Sequence, residues 1–475
     1  MNPDLLRDRE RHQDARIDDR PRDAPSERPR DHVRDLSAAL AAALLVLVAV
    51  LVGTAIQARH HSLFVAWPPV FAQWEPHVGP GTPAALAVAV AVVAYGPVLA
   101  ARLPWRALLL TAWGTAMAWT FSLALVDGWQ RGIAGRLTTT NEYLTVIGRF
   151  HDIPATLRDF THHILSHSPA PWPAHIAGHP PAATVTFVLL DRIGLGGGAW
   201  AGVWCITVGA TAGAAVLVAV RVLAGEQLAR RAAPFLVLAP AAVWVGTSAD
   251  GYFAAVAAWS VAFLALAVTG HRPRSAGLAA GLFLGLTAYL SYGLTLFAVI
   301  AGAALPLGHR RLRPLPFAVA GLAVVPVVFT LLGFNWWEAY RLLITRYYEG
   351  VGGIRPYGYW VWANLACTAL IVGPATVAGL RRAGTAPVRP QLPELRGALR
   401  TAAPQPRLAL LVFAALFALL VADLSGMSKA ETERIWLPFA MWLLPACAFL
   451  PRPRAWLTAQ AALALLLNHL LLTGW

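Results

Sequence analysis

Pro180-Pro-Ala-Ala-Thr-Val-Thr-Phe-Val-Leu-Leu-Asp-Arg-Ile-Gly-Leu-Gly-Gly-Gly198 is the segment on which the topology of this chain turns. It opens like a helix, with proline at the first-turn positions that tolerate it. Asp191, Arg192 and a run of three glycines stop it early. A crossing needs about 20 apolar helical residues to cover a hydrocarbon layer of roughly 30 Å. If 180–198 crossed, every later loop would change sides.

The rest of the chain makes that question meaningful. Of 475 residues, 57% are hydrophobic and 13% charged, about half the charged share of a soluble protein. So little charge leaves no surface to cover so large a core in water. An ordinary soluble enzyme, a disordered chain and a disulfide scaffold are excluded. Cys205, Cys367 and Cys447 all sit in apolar stretches, with no zinc-ligand spacing. Hydropathy places crossings near 38–56, 83–101, 107–126, 199–220, 232–248, 251–269, 276–290, 291–306, 315–334, 359–380, 408–424, 435–450 and 455–473. The reading is all-α: a polytopic integral membrane protein with about 13 transmembrane helices.

The net charge of +14 does not mark a nucleic-acid binder, because of where it lies. Residues 1–36 hold nine Arg against ten acids and no aromatics, as expected of a disordered cytoplasmic arm, and the pattern is not that of a signal peptide. With the N-terminus inside and 180–198 not crossing, the inner loops are 102–106, 221–231, 270–275, 307–314, 381–407 and 451–454. They hold 18 Arg against two acids, Glu226 and Glu394; the outer segments hold 11 basic and 12 acidic residues. That separation follows the positive-inside rule. Segment 180–198 is therefore read as re-entrant or interfacial, on the outer side. The domains are the arm 1–36, a membrane core 37–380 with the outer loop 127–198, a cytoplasmic linker 381–407, and a C-terminal transmembrane group 408–475.

Loop 127–198 is the longest outer segment. It carries Asp127, Glu142, Asp152 and Asp159, and six of the fourteen His: His151, His162, His163, His167, His175 and His179. Residues 152–168 place Leu157, Phe160, Ile164 and Leu165 on roughly one side of a helix, as an interface-lying helix would. The loop resembles that of the GT-C superfamily, polytopic glycosyltransferases that take a sugar from a polyprenyl phosphate at the outer leaflet. In the relatives of protein O-mannosyltransferases and aminoarabinose transferases, an Asp-Glu-Tyr-type motif follows the first span and His-Pro-Pro-Leu closes the loop. Asn141-Glu142-Tyr143-Leu144 and Gly178-His179-Pro180-Pro181-Ala182 stand in those places. Thr247-Ser248-Ala249-Asp250 resembles the family's outer Pro-to-Asp stretch. Asn141 replaces the family's usual Asp, and two extra spans precede the loop. Segment 424–439, with Lys429, Glu431, Glu433 and Arg434, resembles an element of actinobacterial membrane proteins of this kind. The Arg-rich, Lys-poor usage also fits a GC-rich bacterium.

Residue chemistry points the same way. Transfer from a lipid phosphate needs a carboxylate to take the acceptor's proton and cations for the departing phosphate, for which the arginine fork is suited. Glu142 is the leading candidate base and Asp127 the second. Arg346, Arg355, Arg434, His179, Asp250 and Tyr143 are candidates for substrate or phosphate contact; Arg341 lies in the same loops. Each has a bland alternative: Asp127 a solvated boundary residue, Asp250 a turn former, Glu431, Glu433 and Arg434 a local ion-pair network. The aromatics Trp336, Trp337, Tyr347, Tyr348, Tyr357 and Tyr359 suit sugar faces and membrane anchoring alike. No cofactor is certain. The His cluster admits a divalent metal, although its spacings match no standard set. The expected partners are a polyprenyl-phosphate sugar donor, the bilayer, and a glycan, lipid or protein acceptor, with no nucleic acid. A lipid or glycan transporter, or flippase, needs charge at mid-span, where this chain has almost none. A non-catalytic envelope-biogenesis scaffold is the other alternative.

Overall fold

A computed structural model of the chain describes residues 29–310, 312–385 and 403–474. Most of the arm and of the linker lies outside the described residues. The chain folds as an all-α polytopic membrane protein. The sheet among the described residues is one antiparallel pair, Ala72–Trp74 with Leu471–Thr473.

The first helix runs over Pro29–His60. Residues 29–36, assigned above to the disordered arm, are therefore helical. The cause is Asp35, which is fully buried and faces Arg381 Nη2 at 2.8 Å and Arg382 Nη2 at 2.6 Å. A buried carboxylate held by two guanidiniums anchors the segment. Composition alone does not show such a partner, because it lies more than 340 residues away.

Among the described residues, seven helices are long and apolar enough to cross a membrane: Arg30–His60, Thr82–Arg102, Trp105–Asp127, Gly198–Ala224, Ala249–Val268, Tyr357–Gly384 and Pro404–Leu424. Leu315–Leu331 and Trp336–Glu349 form a pair bent by 77°. Other apolar segments are shorter or broken. Segment 232–248 divides between Glu226–Val237 and Ala242–Val245, separated by Pro240. Segments 291–306 and 435–450 correspond to the short apolar helices Tyr292–Leu307 and Leu437–Phe449. Sixteen residues of helix rise only about 24 Å, so such pieces rely on their neighbours for burial.

The segment that decides topology forms the helix Ala182–Arg192, 11 residues long, or about 16 Å. Its far end returns to the loop it came from. Arg192 Nη2 donates to the carbonyls of Phe150 and His151 at 2.8 Å each. Gly198 lies so close to the Ala134 carbonyl that a Cβ there would sit 1.8 Å from it. The helical stretch within 152–168 is Ile153–Asp159 followed by a 3-10 turn, Phe160–His163. Its apolar side is covered by protein: Phe160 packs on Trp172 at 5.2 Å and on Phe334 at 5.6 Å.

The arginine-rich loops gather at one end of the bundle. Arg230 Nη1 donates to Ala100 O and Leu103 O, Arg231 Nη2 to Leu450 O, and Arg407 Nη2 to Leu307 O. The backbone N–H of Arg310 donates to Val268 O. Small residues set a close helix contact between Pro273–Leu290 and Leu315–Leu331. A Cβ on Gly281 would lie 1.9 Å from Ala318 O, and one on Gly321 2.1 Å from Leu278 O. Such small-residue seams let membrane helices approach at backbone distance. Gly281→Leu should force these helices apart and cost at least about 1–3 kcal/mol, read as a lowered thermal midpoint of the purified protein. An unchanged midpoint would show that the seam yields freely.

Candidate functional site

Four segments far apart in sequence meet at the end opposite the arginine-rich loops. Glu142 precedes the 3-10 helix Tyr143–Arg149, with its own amide bonded to Thr139 O and its carbonyl accepting from Thr145 Oγ1. His175 lies in the short helix Ala174–Gly178, whose backbone is tied to the first segment by His175 N donating to Asn141 O. Asp250 sits in the first turn of Ala249–Val268, where free amides and the helix dipole favour a carboxylate. Arg434 lies in Thr432–Ile435, preceded by Ala430 and Glu431 at φ 70° and 61°. Two successive non-glycine residues in the left-handed region cost about 1–3 kcal/mol each. The surrounding contacts must outweigh that.

Those contacts run in a chain. Glu142 Oε1 lies 2.9 Å from His175 Nδ1. His175 Nε2 lies 2.9 Å from Arg434 Nη2. Arg434 Nη1 reaches Asp250 Oδ2 at 2.6 Å, and Nη2 reaches Glu431 Oε2 at 3.0 Å. Arg355 Nη1 stands 3.7 Å from Glu431 Oε1. Glu142, Asp250 and Arg434 are each about 5% exposed. An arginine only donates, so the imidazole nitrogen facing it accepts, which assigns the His175 proton to Nδ1, on the Glu142 side. Along this chain of contacts three carboxylates then face two guanidiniums, with the imidazole of His175 between Glu142 and Arg434. Burial pushes the Glu431 carboxyl up, but Arg434, then His175 and Arg355, pull it below its ordinary range.

The neighbouring residues hold this chain in place. Tyr143 is buried, with its ring 6.3 Å from His175, 5.8 Å from His179 and 5.4 Å from Phe187. Burial drives its phenol well above the usual value, so it stays protonated. Burial lowers His179 to about 4; its Nδ1 donates to His175 O at 2.7 Å. A neutral His179 therefore fixes the turn carrying His175 and offers no cation for phosphate at neutral pH. Arg346 donates to Ile164 O and Trp172 O. Arg355 donates to Leu63 O at 3.0 Å and Lys429 O at 2.7 Å. Both arginines join loops. Arg434 is enclosed by its carboxylates, so its fork is occupied.

Asp127 belongs elsewhere. It bonds His77 Nε2 and Arg136 Nη2, both at 2.9 Å, with Arg131 Nε at 3.5 Å. Gly128, at φ 79°, turns the chain away immediately afterwards. Asp127 thus anchors the loop's start against the strand pair, since Arg136 also donates to Thr473 O. Sequence reasoning left His175 unranked among six histidines, although it stands four residues before His179 of the His-Pro-Pro motif. It also left Glu433 unranked. That residue is fully buried, accepts from Phe71 N at 2.9 Å, and is pushed up to about 7 by burial. The described residues contain no group of three or more His, Cys, Asp or Glu that could hold a metal ion.

Two outcomes follow from this geometry. Arg434→Gln should destabilise the protein by about 3–5 kcal/mol, because it strands buried carboxylates. Adding Asp250→Asn should recover part of that loss in a double-mutant cycle. Equal losses in the single and double variants would show that the pair is uncoupled. His179 is held neutral with its folded value at about 4, below the ordinary 6.5. Its contribution is present above pH 6.5 and is lost as pH falls towards 4. Thermal midpoints across that window should fall more steeply in the wild type than in His179→Asn, and parallel curves would remove His179 as the cause.

No protein-family model and no curated protein matches the sequence. Among solved structures, the chain is similar to the archaeal oligosaccharyltransferase AglB from Archaeoglobus fulgidus in complex with an inhibitory peptide and a dolichol-phosphate. That match has 13% identity and a TM-score of 0.44, over 72% of this chain and 50% of the other. It is also similar to the apo form of the Archaeoglobus fulgidus oligosaccharyltransferase, with 13% identity and a TM-score of 0.46, over 73% and 50%. The chain spans about half the length of these structures.

Proposed function

We propose that this protein is a membrane glycosyltransferase of the GT-C type, moving a sugar from a polyprenyl-phosphate donor to an envelope acceptor at the outer face of the cell membrane. In this reading the N-terminus and the linker 381–407 are cytoplasmic. The observation that carries it is the buried chain Glu142–His175–Arg434–Asp250, built from the loop that resembles the family's. Glu142 is the base. His175 Nδ1 stands 2.9 Å from one carboxylate oxygen, which leaves the other to receive a proton. The acceptor oxygen bonds to the anomeric carbon as the bond from that carbon to the phosphate oxygen breaks. The electron pair leaves on the polyprenyl phosphate, and the acceptor's proton passes to Glu142. That proton cancels the excess charge of the cluster, so the fold favours the step it assists. Arg434 and Asp250 are positioning residues. Arg355, whose carboxylate contact is the loosest of the set at 3.7 Å, supplies cationic charge towards the phosphate.

One observation favours a second reading, a scaffold without turnover: Arg346, Arg355 and Arg434 all donate to protein groups. Reconstituted protein offered a panel of polyprenyl-phosphate hexoses and pentoses separates the two. Glu142→Gln should lower transfer by about 10²–10⁴-fold with an unchanged thermal midpoint. Full turnover in that variant would remove Glu142 as the base. No turnover by the wild type with any donor would favour the scaffold.

A further inference from the structure

A cavity lies at the arginine-rich end, lined by none of the residues of the Glu142 cluster. It is about 610 Å³ in volume and lies between the end of Thr82–Arg102, the helix Glu226–Val237 and the turn 447–453. Helix Glu226–Val237 turns two unlike sides to its surroundings. Leu228, Ala229, Ala232, Ala233 and Leu236 are buried in the core, while Gln227, Arg230, Arg231 and Pro234 line the cavity. The remaining wall is largely apolar, including Pro97, Ala101, Leu450 and Pro453. A second cavity of about 400 Å³, lined by Trp105 and Arg221, shares Glu226 with the first. A polar strip facing an apolar wall fits an amphiphile.

The charges are not balanced there. Glu226 is shared by Arg221 Nη2 at 2.7 Å and Arg230 Nη2 at 2.6 Å. Arg231 donates one bond, to Leu450 O at 2.9 Å, and among the described residues no carboxylate pairs with it. Burial, with Arg382 nearby, pushes its guanidinium below the ordinary value, as an unneutralised cation requires. Basic pockets between membrane helices on the side of positive loops suit anionic lipid headgroups.

We propose that this cavity binds an anionic phospholipid of the adjacent leaflet, with its phosphodiester on Arg231 and Gln227 and its first acyl carbons against Pro97 and Ala101. The binding is separate from sugar transfer and does not depend on it. Native mass spectrometry of the full-length protein, released from nanodiscs of equal phosphatidylglycerol and phosphatidylcholine, reads the retained lipid directly. Phosphatidylglycerol should be retained in preference, and Arg231→Gln should reduce that retention about tenfold, the loss expected for one charge-assisted contact. Ala101→Trp fills the cavity from an exposed position and should give the same loss, which covers the case in which Arg231→Gln fails to fold. Equal retention of both lipids, or selectivity unchanged in both variants, overturns the proposal. Displacement of the lipid by millimolar inorganic phosphate assigns the site to a free anion and also overturns it.

Discussion

The guanidinium of Arg434 is the piece on which the end of the structure opposite the arginine-rich loops depends. It is about 5% exposed and touches Asp250, Glu431 and His175. Taking any of these charges out of water alone costs several kcal/mol. Together they satisfy one another, but only if the loop 127–198, the start of Ala249–Val268 and the turn before Thr432–Ile435 all arrive at one place. The left-handed backbone at Ala430 and Glu431 is the local cost of that arrival. A single cation therefore fixes three otherwise independent segments, and the Glu142–His175 contact rests on the platform they form.

The same economy recurs at several other arginines. Arg230 takes the carbonyls at the end of Thr82–Arg102, Arg231 that of Leu450, and Arg407 that of Leu307. At the other end, Arg192, Arg346 and Arg355 each join two carbonyls from loops. The last carbonyls of a helix lack intrahelical partners, and a bundle of broken helices has many such ends. Five donors on a planar, permanently charged group serve this purpose better than an ammonium. The excess of arginine thus closes the helix ends.

How much of this was legible follows from which forces act locally. The apolar periods of Thr82–Arg102, Ala249–Val268 and Pro404–Leu424 are visible in their own residues, because bilayer thickness sets them. The early stop of Ala182–Arg192 was visible too, in Asp191 and the glycines. Glu142, Tyr143, His179, Asp250 and Arg434 were legible as candidates, and the structure brings them together. Their roles were not. His179 reads as a phosphate contact until burial by Tyr143 and Phe253 is known, which makes it a neutral strut. Asp127 and Glu142 stand fifteen residues apart, yet Gly128 and a π-turn at Gln130–Ala134 direct them to different partners. The Asp250–Arg434 pair spans 184 residues, a separation over which no period or motif carries information. The helix at 29–36 escaped for the same reason, since Asp35 owes its burial to Arg381 and Arg382.

The two ends of the molecule carry opposite imbalances, and each defines what that end can accept. In the Glu142 cluster, the carboxylates of Glu142, Asp250 and Glu431 outnumber the guanidiniums of Arg355 and Arg434 by one. At the cavity and its neighbour, Arg221, Arg230 and Arg231 outnumber Glu226 by two, an excess that suits an anion. Water screens neither imbalance fully, because both lie among apolar side chains where charge interactions are strong. A fold stabilised only by its own contacts has no use for either excess. In the proposed function and at the proposed lipid site each excess is met from outside, by the proton of an attacking hydroxyl at one end and by a lipid phosphate at the other.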